Sequence, residues 1–166
     1  MADLKLEQTL ELISTALLLN PNDPHKRFQL GTVYSKLGNF DEAIKAFKRA
    51  VGAKPDYVEG HYNLGLAYAK KENWQAAADS WAEAARLNPD HFDARLLRAQ
   101  TSMRLNRFED AASEYAHVLR LRPDHPGAAK DMGIACFRLE RYSESAQWLS
   151  QAVATQSDDA ELLLQL

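Results

Sequence analysis

The chain is predicted to be all-α, a solenoid of antiparallel helix–turn–helix units stacked in series. Three observations carry this. Pro21, Pro55, Pro89 and Pro123 recur every 34 residues. An aromatic residue recurs at the same interval, as Phe40, Trp74, Phe108 and Tyr142. Between these markers the apolar residues follow the three-and-four spacing of a helix face. A fixed period of this size marks a unit that cannot bury its apolar face alone and stacks on copies of itself.

The stretch 24–57 shows the unit most clearly. Leu30-Gly31 is followed by Tyr34, Ala43, Phe47, Ala50 and Pro55, and 34 residues later stand Leu64-Gly65, Tyr68, Ala77, Trp81, Ala84 and Pro89. Gly31 and Ala43 are small and let two helices approach closely, while Tyr34 and Phe47 fill the space between units. Pro55 cannot continue a helix and sets the turn into the next unit. This pattern of L-G-x-x-Y, A-x-x-x-F and P resembles the tetratricopeptide repeat.

Taken in order, the chain opens with a half repeat over 3–23, whose stripe of Leu6, Leu10, Ile13 and Leu17 reads as a second helix only. Repeats follow over 24–57, 58–91, 92–125 and 126–159. The first opens on Asp23-Pro24, an N-cap with proline at the first helical position. Gly38 closes its first helix, where a left-handed residue is wanted. Asp41-Glu42, Glu109-Asp110 and Glu144 place negative charge at the starts of second helices, which favours the dipole. The third repeat keeps Ala111, Tyr115 and Pro123 but carries Arg98-Ala99 for Leu-Gly and Ser102 for the tyrosine. A guanidinium at Arg98 must meet an acid or reach water. The fourth keeps Gly133 and Ala152, with Met132, Cys136, Leu149 and Ser157 at other pattern positions. Residues 160–166 align with the start of a further repeat or a capping helix, and their uncapped apolar run leads us to expect a longer array.

Composition narrows the function. The 166 residues carry a net charge of −3 with acids and bases interspersed, which disfavours nucleic acid as the main partner. The lone Cys136 is expected to be a small buried thiol. No signal peptide opens the chain and no apolar run is long enough for a membrane span, so a cytoplasmic protein is expected. Catalysis, cofactors and metals find no footing. His25, His61, His91, His117 and His125 lack metal-ligand spacing and read as solvated loop residues, and no phosphate loop, nucleophile elbow or CxxC is present. The carboxylates read as helix starts and exposed faces.

The resemblance implies a right-handed superhelix whose first helices line a concave groove that holds a protein or peptide partner. Its groove positions here are Phe28, Thr32 and Ser35, then Glu59, Tyr62, Asn63 and Leu66, then Leu96, Gln100 and Met103, and finally Lys130 and Ile134, with His25, Ala69, Asp93 and Phe137 beside them. Some of these could instead pack between neighbouring first helices. Phe28, Tyr62, Leu66 and Leu96 are the expected apolar anchors. Lys36, Lys70, Arg104 and Arg138 also recur every 34 residues. They could form a basic line along the groove edge, or simply complement the dipoles at first-helix C-termini. The chaperone-tail clamp of the family is not matched, since Phe28, Thr32, Asp93 and Leu97 stand at its cationic and amide positions. The asparagine ladder of sugar-transferase repeats is absent too, with Gln29, Leu97 and Asp131 around Asn63. The sequence therefore points to a non-enzymatic scaffold binding a peptide segment. The alternatives are a self-assembling module joined as a homo-oligomer through its terminal half-repeats, or the recruiting arm of a larger enzyme.

Overall fold

The structure, a computed structural model, describes residues 2–125 and 127–164, with side chains over 4–125 and 127–155. Every regular element among the described residues is a helix. They are α1 (Ala2–Leu19), α2 (Pro24–Lys36), α3 (Phe40–Ala53), α4 (Val58–Lys70), α5 (Trp74–Leu87), α6 (Phe92–Arg104), α7 (Phe108–Leu121), α8 (Ala128–Arg138) and α9 (Tyr142–Leu164). The chain falls into two compact units, 1–89 with α1 to α5 and 90–166 with α6 to α9.

Local chemistry sets the helix ends. Asp23 Oδ1 accepts from the backbone N–H groups of His25 and Lys26 at 2.9 and 3.0 Å, capping α2 with Pro24 at its first position. The four repeating aromatics are the first residues of α3, α5, α7 and α9. Each first helix stops the same way. Gly38 takes φ +76°, and Glu72, Asn106 and Glu140 take φ of 57°, 57° and 61° at the equivalent places. The next N–H in each turn then reaches back to a helical carbonyl, as Asn39 to Tyr34 at 2.9 Å and Arg141 to Cys136 at 2.9 Å.

In the first unit α2 pairs with α3 and α4 with α5, while α1 packs on α2 and α3 on α4. Close approach within a pair comes from glycine. A Cβ on Gly31 would lie 2.6 Å from the Phe47 ring, and one on Gly65 would strike the Trp81 indole. The partner of each glycine is thus the large aromatic of the second helix rather than the alanine. Trp81 is fully buried, and its Nε1 donates to the Tyr62 carbonyl at 3.1 Å. The core of this unit gathers Ala43, Phe47, Leu64 and Ala67, with Phe28, Tyr34 and Tyr68 packed against it. Leu6, Leu10, Ile13 and Leu17 form the more buried face of α1, whereas Leu4, Leu12, Leu18 and Leu19 are exposed.

The second unit repeats this scheme, with α6 on α7, α8 on α9 and α7 on α8. Ala99 takes the glycine's place and joins Tyr115 in the core, while a Cβ on Gly133 would lie 2.7 Å from Leu149. Tyr115 donates its hydroxyl to Asp131 at 3.1 Å. Burial, then the Asp131 charge, pushes its ionisation far above the ordinary tyrosine range. Cys136 is fully buried, as expected, and burial raises its thiol pKa.

Two sequence expectations are corrected here. Glu114 is neither at a helix start nor exposed. It is 5% exposed within α7, accepts from Arg95 at 2.9 Å, and also pairs with Arg98. The arginine at the leucine position is therefore neutralised by a carboxylate from the adjoining helix. The histidines are not free loop residues either. His91 Nδ1 accepts from the Ala94 N–H at 3.3 Å as the N-cap of α6, and His125 Nδ1, two residues ahead of the N-cap Gly127, accepts from the first N–H of α8, that of Ala128, at 3.2 Å. His61 Nε2 lies 2.9 Å from the Pro55 carbonyl, and His25 packs edge-on against Tyr57. At the C-terminal side α9 runs unbroken past residue 159 to Leu164. The side chains of the expected further repeat, 160–166, lie outside the described residues.

Candidate functional site

The first helices of the first unit carry the residues expected to line a groove, and α2 and α4 bring several of them together. A cleft of about 470 Å³ between these helices is lined by Thr32, Ser35, Lys36, Phe40, Asn63, Leu66, Ala67 and Lys70. On the other side of α2 a second cleft, of about 340 Å³, is lined by Thr9, Ile13, Phe28, Gln29, Thr32 and Val33. Thr32 borders both.

The helical spacing explains the convergence. Ser35 and Lys36 lie three and four residues beyond Thr32 on α2, and Leu66 and Lys70 lie three and seven beyond Asn63 on α4, so each set shares one side of its helix. Phe40, the first residue of α3, joins the lining. Two of the polar residues lining it are already bonded to their own helices. Thr32 Oγ1 donates to the Phe28 carbonyl at 3.0 Å, and Asn63 Nδ2 donates to the Glu59 carbonyl at 2.8 Å. Each keeps an oxygen able to accept a further hydrogen bond.

Other expected residues occupy different settings. Phe28 is half-buried, its ring 5.6 Å from Phe47 and 5.1 Å from Tyr57, so much of it belongs to the core. Tyr62 is half-buried and Glu59 exposed, and neither lines the two clefts. In the second unit Leu96 and Met103 pack partly against the core, whereas Gln100, Lys130 and Ile134 are exposed.

The recurring cations do not behave alike. Lys36 and Lys70 line the α2–α4 cleft, both exposed. Arg138 lies over the Phe108 ring, its guanidinium carbon 4.8 Å from the ring centre, and is held there by a cation–π contact. Arg104 is exposed at the last turn of α6. Among the described residues no cluster of three or more metal-ligating side chains occurs, and no helix is long and apolar enough to cross a membrane.

Solved structures share this arrangement. A crystal structure of MamA protein superposes with a TM-score of 0.82 at 22% identity, covering 95% of this chain and 86% of that one. YrrB, described as a TPR protein with an unusual peptide-binding site, gives 0.80 at 25% identity, over 93% of this chain and 79% of its own. No curated protein sequence matches the chain significantly. The family model for the tetratricopeptide repeat matches residues 28–92, 65–117 and 96–160, from α2 through most of α9. With its glycine-on-aromatic helix pairs, left-handed turns and recurring period, the chain belongs to the tetratricopeptide repeat family.

Proposed function

We propose that the chain is an interaction scaffold holding an extended segment of a partner protein in the cleft between α2 and α4. The observation that carries this reading is the cleft itself, about 470 Å³ of open space lined by apolar Phe40, Leu66 and Ala67 together with polar Thr32, Ser35, Asn63 and two lysines. Sites of this kind combine apolar anchors with a few placed polar groups. The oxygens of Thr32 and Asn63 suit the N–H groups of an extended backbone. YrrB, a chain of similar fold, has a peptide-binding site of its own, which supports peptide binding as a role for this fold. A short segment must be ordered on binding, which limits affinity to the micromolar range, about −8 kcal/mol.

The test is selection of heptapeptides from a random display library on the whole chain, followed by titration of the selected peptides. Leu66→Ala should weaken binding by about 1–3 kcal/mol. Lys45→Ala, which removes an exposed residue paired with Glu42 on α3, should leave it unchanged. Normal binding by Leu66→Ala with loss in Lys45→Ala would move the site off the groove.

A second reading, self-association, is favoured by the exposed leucines of α1 and by Tyr142, Leu149 and Val153, which are exposed on one face of α9. Light scattering that shows mass growing with concentration, and reverting with Leu12→Ser, would support it.

A further inference from the structure

We infer that the segment taken by the α2–α4 cleft is acidic, with carboxylates placed on Lys36 and Lys70 around one apolar side chain. This rests on the reading of the cleft as a peptide site. Two other lysines of the first unit have counter-charges, Lys45 on Glu42 at 2.6 Å and Lys71 on Asp41 at 3.0 Å. The side chains of Lys36 and Lys70 form no ion pair or hydrogen bond among the described residues, and no acid lines the cavity they share.

Two like charges facing one cavity repel, and each is tolerated because it sits in the last turn of a helix, near the negative end of the dipole. That accounts for their place in the sequence. It leaves their charge uncompensated on the cavity side. A carboxylate-bearing segment supplies what the walls lack, and the apolar residues of the same lining, Phe40, Leu66 and Ala67, take an aliphatic or aromatic side chain from that segment. The α1–α2 cleft offers no such pairing, since no charged residue lines it. In the second unit the equivalent Arg138 is engaged by Phe108. The α2–α4 cleft thus presents two cations to one cavity, which the α1–α2 cleft does not. Nucleic acid is disfavoured because the floor is aliphatic around a single aromatic ring, which offers little stacking surface.

The probe is a fluorescein-labelled hexapeptide with two glutamates, leucine, phenylalanine and two glutamates, compared with its twin carrying glutamine for glutamate. Anisotropy titrations on the full chain should show the acidic probe binding about tenfold tighter at about 0.05 M salt, with the gap closing near 0.5 M as charges are screened. Lys36→Gln/Lys70→Gln should bind both probes alike; the two exposed side chains can be changed without disturbing the fold. Leu66→Ala should weaken both probes equally. Equal binding of the two probes to the unaltered chain, or a gap that survives the double variant, overturns the inference. Library-selected peptides that are uncharged yet lost in Leu66→Ala would overturn it while leaving the groove reading intact. Failure of every peptide, with oligothymidine binding lost in the double variant, would overturn both.

Discussion

Gly31, Gly65 and Gly133 each hold a point where a methyl group would collide with a large side chain of the following helix. The tolerance is tightest at Gly65, whose neighbour Trp81 is also tethered through its indole N–H to the Tyr62 carbonyl. Gly65→Ala should therefore cost about 1–3 kcal/mol through overpacking, read as a lower urea midpoint at unchanged slope. Smallness at these glycines was legible in the sequence. The identity of the facing residue was not, because which of two nearby positions on α3 or α5 meets the glycine depends on helix rotation. Glu114 shows a different limit. It answers Arg98 from sixteen residues away, and only the α6–α7 pairing brings them together. Glu114→Ala should destabilise by about 3–5 kcal/mol, since it removes the carboxylate that Arg95 and Arg98 share. Replacing Arg95, Arg98 and Glu114 together by the His, Leu and Ser found at His61, Leu64 and Ser80 should restore most of that loss in the same denaturation experiment. Equal losses in both variants would show that the ion cluster is not the cause.

The helices end on left-handed turns that only one of the four repeats fills with glycine. Glu72, Asn106 and Glu140 adopt a conformation that costs an ordinary residue about 1 kcal/mol or more. Glu72→Gly should accordingly raise stability by about 1 kcal/mol, visible as a higher melting temperature. No gain would mean that the added freedom of the unfolded chain cancels the relief. The helix boundaries themselves were open to prediction from the period, since proline, glycine and Asp23 act through local backbone rules. The caps on α6 and α8 were hidden because histidine is not a preferred capping residue. Its Nδ1 serves as an acceptor only once the backbone around His91 and His125 has placed it beside an N–H.

On the scale of the whole molecule, the repeating cations show how far a period can be read. Position alone put Lys36, Lys70, Arg104 and Arg138 in one class, yet Lys36 and Lys70 face a shared cleft while Arg138 rests on an aromatic ring. A cleft arises from side chains on three helices at once, and no single stretch of sequence encodes it. The anchors expected at Phe28 and Leu96 likewise share their surface with the core, because first-helix residues serve both the groove and the packing between repeats. The division of the chain into 1–89 and 90–166 also divides its three tryptophans, leaving Trp74 and Trp81 in one unit and Trp148 in the other. Trp81 sits in a dry setting, and Trp148 is half-buried against the core of α7, α8 and α9. The protein thus carries native optical labels for each half. In a Trp148→Phe chain the indole emission, excited beyond the tyrosine absorption, reports residues 1–89 alone, and the difference from the unaltered chain reports the remainder, so the two halves can be watched separately as they melt, without any attached dye.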